Sequence, residues 1–398
     1  MESLYRLQNV LLANTSFAFR RNFIDSVHWN ERLTGILGAR GVGKTTCLLQ
    51  YISENFKPGS REALYVTYDN PAIPYNNLFD LADDFYKKGG KHLFVDEIHK
   101  YPHWAIELKN IYDLLPKLKV TFSGSSIIKL LTGGVDLSRR AVLYYLNGLS
   151  YREFLAIKSK KDLPVFSLKD ILKKHEELAH SLCKKIKPLQ YFEDYLKFGY
   201  YPFFLQGEES YPLKLQSVIS YVVENEMQLF TKSDVLTHSK MKKLLRIMSC
   251  SMPFQPNIVK LAEAIELNRT TLLEYLGNLS QADIIISINK TGSFYGKLSK
   301  PGKIMLKHPN LYYCLSNGDV DMGTLRETFF VNQVINKHNV ELPEKADFLV
   351  DDKYTFEIGG KSKEKKQISG IKDSFIVSDN IEIGFENKIP LWLFGFLY

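Results

Sequence analysis

The segment GARGVGKTT, residues 38–46, combines glycines, a lysine and hydroxyl side chains at a spacing suited to phosphate binding. It fits the pattern G-x-x-x-x-G-K-[ST]. Glycines let backbone N–H groups converge on phosphate oxygens, the lysine reaches the terminal phosphates, and the hydroxyl after it ligates Mg²⁺. We therefore predict that ATP and Mg²⁺ bind at Gly38, Ala39, Arg40, Gly41, Val42, Gly43, Lys44, Thr45 and Thr46.

Two acids follow an apolar run in HLFVDE, residues 92–97. An apolar strand that delivers two carboxylates at its end suits Mg²⁺-dependent ATP hydrolysis. Asp96 would hold the metal together with Thr45, and Glu97 would polarise the attacking water. A strand ending in two solvated acids is the alternative interpretation.

Glu97 and Lys44 are the first candidates for catalysis. Two further candidates have a less specific sequence signal. Ser123 or Ser125, in TFSGSS, could orient the water, and we favour Ser125; the alternative is that Ser and Gly simply end the strand. Arg140, preceded by Arg139, could contact the phosphates of its own subunit or of a neighbour, or the pair could be solvated.

These residues need a scaffold that brings several strand ends together. Apolar runs at 33–38, 62–70, 92–97, 119–126 and 140–150 read as strands, and segments with helical spacing separate them. Strands that alternate with helices in this way indicate a parallel sheet with helices on both faces. We predict an α/β fold, a P-loop NTPase core, over residues 1–156.

Composition sets broader limits. The chain has 398 residues, 45% hydrophobic and 24% charged, with a net charge of +8. That length favours two or three domains. The four cysteines are far apart and support neither a disulfide framework nor a zinc site. No run approaches the roughly 18 apolar residues of a membrane span. We expect a cytoplasmic protein without a membrane partner.

The motifs together resemble a known family, the predicted AAA+-superfamily ATPases of archaea and bacteria, in which an ATPase core precedes a C-terminal domain of unknown function. The resemblance lies in Arg40 within the loop, Asp96-Glu97-Ile98, Gly124-Ser125-Ser126, and SYREFL from Ser150. The family usually has Gly-Arg before the fifth strand, where this chain has Arg139-Arg140. Later segments, such as YLKFGYYPFFL, extend the resemblance over nearly the whole chain.

The middle of the chain changes character. Residues 157–240 read as a helical linker or lid segment, and residues 241–307 read as two helices around a turn at Leu267-Asn268 followed by a β-ribbon, the order of a winged helix. This second segment carries ten lysines and arginines against four acids. A DNA-binding surface would comprise Arg269, Thr270, Thr271, Lys290, Lys297 and Lys300. A protein-contact module with a solvated basic face is the alternative.

Residues 308–398 resemble the restriction-endonuclease-like α/β fold. A helix with Glu327 is followed by predicted strands ADFLVD, YTFEIG, SFIVS and LWLFGFLY. Such nucleases use a helix Glu, an Asp and a Glu-x-Lys around Mg²⁺. Here Asp347 and Glu357 fit, but Gly359 stands in the lysine position. Lys361 would lie about 7 Å further along the strand. We expect a degenerate, non-catalytic site.

Three functions follow from this sequence. The first is an ATPase that couples its nucleotide state to double-stranded DNA through the winged helix. The second is a nucleotide-gated protein that contacts protein partners, and the third is an ATP-dependent nuclease. The arginine pair leaves open whether the chain forms a homo-oligomer.

Overall fold

The computed structural model describes residues 1–17, 19–70, 73, 75, 77–126, 137, 139–229, 235–250, 257–292, 301–316, 320–363 and 368–398. The chain divides into two compact units, residues 1–148 and 149–398. The four-part division therefore stays a prediction. Within the described ranges, no helix is both long and apolar enough to cross a membrane.

A five-stranded parallel sheet forms the centre of the first unit and confirms the predicted α/β core. Its order is β2-β3-β4-β1-β5. The strands are β1 (Leu33–Gly38), β2 (Ala63–Thr67), β3 (His92–Asp96), β4 (Lys119–Ser125) and β5 (Val142–Tyr145). The carboxyl ends of parallel strands share one edge of the sheet, so the ends of β1, β3 and β4 meet there.

The helices of this unit follow from its sequence patterns. Every residue of β1 and β3 is buried, as expected of strands covered by helices on both faces. Asn77 accepts the Asp80 N–H and so caps a helix whose apolar residues face the core. The helices are α1 (Glu2–Asn14), α2 (Phe23–Ser26), α3 (Lys44–Asn55), α4 (Leu78–Lys87) and α5 (Trp104–Leu114).

The second unit begins with a helix that the sequence caps on itself. The Ser150 side chain accepts the Glu153 N–H, and the Glu153 side chain accepts the Ser150 N–H. Further helices follow, with short 3₁₀ and π segments between some of them. They are α6 (Tyr151–Ser159), α7 (Leu168–Cys183), α8 (Phe192–Phe198) and α9 (Tyr211–Tyr221).

A helix–turn–helix and a β-ribbon lie in the next part of this unit. Helices α10 (Val235–Cys250), α11 (Ile258–Ala264) and α12 (Arg269–Gln281) precede strands β6 (Ile285–Ile288) and β7 (Lys303–Leu306), which pair antiparallel. Asn268 accepts the Thr271 N–H and caps α12, at the turn that the sequence indicates.

The C-terminal part of the second unit is a helix–sheet layer. Helices α13 (Pro309–Leu315) and α14 (Met322–Val334) come first. The sheet has the order β12-β11-β10-β9-β8. Its strands are β8 (Val340–Glu341), β9 (Phe348–Val350), β10 (Tyr354–Gly359), β11 (Ser374–Ser378) and β12 (Lys388–Pro390).

One predicted strand of this layer is wrong. LWLFGFLY contains a 3₁₀ helix, Leu391–Phe396, in which every residue is buried. Its apolar run has no alternation that would set one face toward solvent. A short helix supplies backbone hydrogen bonds from within, so it can be buried on all sides without a partner strand.

Candidate functional site

The loop between β1 and α3 needs its glycines for conformational reasons. Gly41 and Gly43 have φ of 87° and 98°, in the left-handed region that favours glycine. A Cβ on Gly38 would lie 2.3 Å from the Leu146 carbonyl oxygen. Gly43 directly precedes α3, so the loop leads to the N-terminus of that helix, an arrangement that suits a phosphate group.

Lys44 is the first residue of α3, and its side chain lies in the loop. It is 5% exposed, and its Nζ donates to the carbonyl oxygens of Gly38 at 3.0 Å and Ala39 at 3.1 Å. The loop therefore encloses one ammonium group next to its own backbone. Val42, in the same loop, is fully buried, whereas Thr46 is exposed.

Asp96, at the end of β3, is the centre of a hydroxyl network. Its Oδ2 accepts hydrogen bonds from Thr45 Oγ1 at 2.6 Å and from Tyr65 OH at 2.7 Å, and its Oδ1 accepts one from Ser123 Oγ. Burial, and next the Asp96 charge, raise the pKa of Tyr65, so its hydroxyl stays protonated and donates. The network joins the phosphate loop to the predicted metal-binding acid.

Glu97 follows in an unusual backbone conformation, with φ 52° and ψ 41°. Its N–H donates to Ser123 Oγ at 3.2 Å, and its Oε2 lies 3.5 Å from His99 Nε2. Burial raises the pKa of Glu97; the Lys44 charge opposes this rise and the Asp96 charge adds to it. The predicted catalytic glutamate is therefore largely but not fully buried, with a side chain 13% exposed, and it feels the charges of the loop cations Lys44 and Arg40.

The two serines of β4 take different positions. Ser123 contacts both acids, whereas Ser125 is the last residue of the strand and pairs in register with Gly38. Residues two apart on a strand share a face, so the two serine side chains lie on the same face of β4. Because Ser125 pairs with Gly38, it lies beside the start of the loop, and its role in orienting water stays a prediction.

Arg140 lies near the amino-terminal ends of the strands, away from the carboxyl ends where the phosphate loop lies. Strand β5 starts in register with Thr34, four residues before Gly38, which corresponds to about 13 Å along the strand. Arg140 precedes that start and forms a two-pronged ion pair with Asp113, at 3.0 and 3.1 Å. Given this position we expect no contact with the phosphates of its own subunit; contact with a neighbour's phosphates, or no catalytic role, stays a prediction.

The predicted DNA-contact residues are only partly within the described residues. Arg269 and Thr270 are exposed at the start of α12, and Thr271 is half-buried beside its cap. Lys290 is exposed just after β6. Lys297 and Lys300 lie outside the described residues. The structure thus places the first three residues together at the start of α12 and Lys290 at the loop end of β6.

The structure places the tail acids near one another, with lysines beside them. Glu327, on α14, pairs with Lys303, and Asp347 accepts the Ile358 N–H at 2.7 Å. Burial raises the pKa of Glu357 and of Glu327, and for each the charge of Asp347 adds to the rise. Throughout the described residues, no group of three or more His, Cys, Asp or Glu is arranged to hold a metal ion.

The expectation for Lys361 is wrong. Strand β10 ends at Gly359, so the strand alternation does not continue to Lys361, which is exposed. Instead Lys363 turns back, and its Nζ lies 2.6 Å from Glu357 Oε1. The absence of a side chain at Gly359 makes room, since a Cβ there would lie 2.7 Å from Lys363 Cγ and Cδ.

Sequence reasoning missed several residues of the first site. The sequence does not identify Tyr65 or His99, and it favours Ser125 over Ser123. Tyr65 lies on a strand whose apolar pattern hides its hydroxyl, and only the pairing of β2 with β3 brings it to Asp96. The sequence indicates His99 only weakly, through its position two residues after the predicted catalytic glutamate Glu97.

Comparisons with known proteins match part of the chain to a described family. Residues 30–155 match a protein family described as AAA domain. An uncharacterized protein of Methanocaldococcus jannaschii is 26% identical over 391 residues, which cover 90% of this chain and 82% of that protein. This relative extends the similarity beyond the first unit.

Solved structures give a weaker likeness. The S. cerevisiae Hsp104-ADP complex is 17% identical, with 70% of this chain and 39% of that chain covered and a TM-score of 0.27. This chain thus spans about two fifths of the Hsp104 chain. A Thermotoga maritima RuvB variant is also 17% identical, with 72% and 89% covered and a TM-score of 0.25. At such TM-scores the likeness carries no weight.

The similarity to this family concerns the sequence match and the fold of the first unit. That unit combines a glycine loop, a parallel sheet with the strand order given above, and two acids beside the loop. Residues 30–155 are therefore similar to the family described as AAA domain, and the loop and sheet give this part of the chain a P-loop ATPase fold.

Proposed function

We propose that the first unit binds ATP with Mg²⁺ and hydrolyses it. The observation that carries the proposal is the 2.6 Å hydrogen bond between Thr45 and Asp96, which joins the phosphate loop to the acids after β3. Lys44 binds the terminal phosphates, and Glu97 orients and polarises the attacking water. The partial burial of Glu97 supports its role as a base, because burial raises its pKa and so strengthens its attraction for a proton.

The residues present fit Mg²⁺. The cation prefers oxygen ligands and is usually held by one or two protein groups together with substrate phosphates. Thr45 and Asp96 supply a hydroxyl and a carboxylate side by side, and Tyr65 and Ser123 also donate hydrogen bonds to that carboxylate. Mg²⁺, when bound, would neutralise charge that develops on the phosphates.

ATP turnover by three purified proteins tests this proposal: the wild type, Lys44→Ala and Glu97→Gln. Lys44→Ala should lose nucleotide binding, and Glu97→Gln should bind ATP but turn it over at least about a hundredfold more slowly. Lys57→Ala changes a lysine that follows α3 outside the loop, and it should behave as the wild type. Full turnover by Glu97→Gln would contradict the assigned role.

We further propose that the helix–turn–helix and its ribbon form a winged helix that contacts DNA. Five cations support this: Lys243, Arg246, Lys260, Arg269 and Lys290. All five are exposed, and none pairs with an acid in the part of the chain that the structure describes. Cations that are free of internal partners are available to phosphates.

Fluorescence anisotropy with a labelled DNA duplex tests this contact. Arg269→Ala and Lys290→Ala should each weaken binding and reduce its salt dependence, because each removes one phosphate contact. Lys169→Ala, on α7, is the control. If the wild type shows no salt-sensitive DNA binding, the nucleotide-gated protein-interaction function takes the place of DNA contact.

The tail favours a non-catalytic role over a nuclease. Lys303 and Lys363 each form an ion pair with one of the acids that would bind metal, which reduces the negative charge available to a cation. Metal-dependent nicking that survives Lys44→Ala and disappears in Glu357→Ala would overturn this interpretation.

A further inference from the structure

One buried tyrosine contacts the acid at the centre of the site. Tyr65, on β2, is 1% exposed, and its hydroxyl donates to Asp96 Oδ2 at 2.7 Å. Thr45 donates to the same oxygen, and Ser123 donates to the other. Three hydroxyls from three separate elements thus hold one carboxylate.

Tyr65 and Thr45 lie on different structural elements. Thr45 belongs to the helix that follows the phosphate loop, so its position depends on that loop. Tyr65 belongs to the sheet, since it pairs in register with Phe94, two residues before Asp96. Its hydroxyl therefore fixes Asp96 from within the sheet, independently of the loop.

The backbone of Tyr65 is itself held in place. Strand β2 lies at the edge of the sheet, where N–H groups lack a neighbouring strand. The Tyr65 N–H donates to Gln8 Oε1 at 2.6 Å, and Gln8 is a buried residue of α1. A buried N–H needs such an acceptor. The N-terminal helix thus anchors the residue that contacts Asp96.

We propose that Tyr65 is a positioning residue for the Mg²⁺ site: its hydroxyl fixes the Asp96 carboxylate in the orientation that holds the metal. This inference rests on the proposed function. Groups that orient a metal ligand typically change metal affinity by ten- to a hundredfold when they are removed. Tyr65 therefore sets the Mg²⁺ requirement of nucleotide binding, while the phosphate loop binds nucleotide by its own N–H groups.

The test is nucleotide binding by the full chain, measured by calorimetry with ATPγS in EDTA and at increasing Mg²⁺ concentrations. Tyr65→Phe removes only the hydroxyl. It should bind ATPγS in EDTA as the wild type does, and it should need about tenfold more Mg²⁺ for half of the Mg²⁺-dependent gain in affinity. Tyr5→Phe removes a hydroxyl that donates to the Arg61 carbonyl in the same unit, and it should match the wild type.

The outcomes separate this inference from the function on which it rests. An unchanged Mg²⁺ requirement in Tyr65→Phe, with normal binding in EDTA, overturns the inference alone. Lost binding in EDTA also overturns it, because Tyr65 would then support the loop rather than the metal. A wild type that binds no ATPγS with Mg²⁺ contradicts both the proposed function and the inference.

Discussion

Thr45 Oγ1 and Asp96 Oδ2 lie 2.6 Å apart although 51 residues separate them in the chain. The contact exists because β1 and β3 flank β4 in one parallel sheet, so the loop after β1 reaches the acid that ends β3. A hydroxyl and a carboxylate side by side would supply two of the about six oxygen ligands of Mg²⁺, and the phosphates of a nucleotide would supply more.

Thr45→Val should abolish most of the Mg²⁺-dependent activity. The substitution keeps the shape of the side chain and removes the hydroxyl that would ligate the metal. We expect turnover to fall at least about tenfold, with a raised Mg²⁺ requirement. Thr45→Ser restores the hydroxyl and should recover near-normal turnover. Equal activity of the Val and Ser variants would argue against Thr45 as a ligand.

The two serines of β4 should have separable effects. Ser123 donates to the Asp96 carboxylate, and hydrogen bonds to charged groups contribute about 1.5–3 kcal/mol. Ser123→Ala should therefore slow turnover by about ten- to a hundredfold and raise the Mg²⁺ requirement. Ser125→Ala should lower kcat without changing that requirement. Turnover measured across a Mg²⁺ series distinguishes them, and identical profiles would refute the division of roles.

Arg140 should act on a neighbouring subunit or not at all. Arg140→Ala and Lys44→Ala should each be inactive alone. Mixed in equal amounts, they should regain activity, because the Lys44→Ala subunit supplies an intact Arg140 to the intact loop of its neighbour. Restored turnover would establish a homo-oligomeric site. Full activity of Arg140→Ala alone would show that the arginine only forms its ion pair with Asp113.

Lys363 should stabilise the second unit, whereas Lys361 should not. Lys363→Met leaves the Glu357 carboxylate, which is 2% exposed, without its cation. Because Lys363 is itself partly exposed, we expect a loss of about 2 kcal/mol in the free energy of unfolding. Lys361→Met should change it little. Urea unfolding followed by circular dichroism compares the two variants, and equal losses would contradict the pairing.

Buried His92 should make the first unit less stable in acid. Burial lowers the pKa of His92 to about 3, from 6.5, and its Nε2 lies 2.8 Å from Thr121 Oγ1. The unfolded chain binds a proton below pH 6.5 and the folded chain does not, so stability falls as pH drops from 6.5 toward 3. The loss attributable to His92 at pH 5 is about 2 kcal/mol.

His92→Gln removes this proton linkage and should flatten the pH dependence of unfolding. His103→Gln, at an exposed position of the same unit, is the control and should keep the wild-type slope. Thermal unfolding of the three proteins between pH 5 and 7 decides the matter. Equal slopes in His92→Gln and the wild type would contradict a neutral buried imidazole.

The sequence predicts the ATPase core well because its signals are local. Glycines before a lysine indicate the phosphate loop, and acids after an apolar run indicate the end of β3. Each predicted strand of the core exists. Contacts across strands were harder to foresee. Tyr65 reaches Asp96 only through the pairing of β2 with β3, and the role of Ser123 depends on which face of β4 points toward Asp96.

The tail was predicted less accurately for the same reason. LWLFGFLY has strand-forming residues, but burial on every side favours a 3₁₀ helix. Strand alternation predicts Lys361 on the same face as Glu357. The turn after Gly359 instead brings Lys363 to Glu357. Local patterns do not encode where a strand ends when tertiary contacts decide it.

The most direct test of the account is ATP turnover by the wild type and Glu97→Gln, with and without duplex DNA. We predict Mg²⁺-dependent turnover by the wild type that DNA stimulates, and almost none by Glu97→Gln under either condition. Turnover that persists in Glu97→Gln would contradict the catalytic site. Turnover that is indifferent to DNA, with no salt-sensitive binding, would contradict its coupling to nucleic acid.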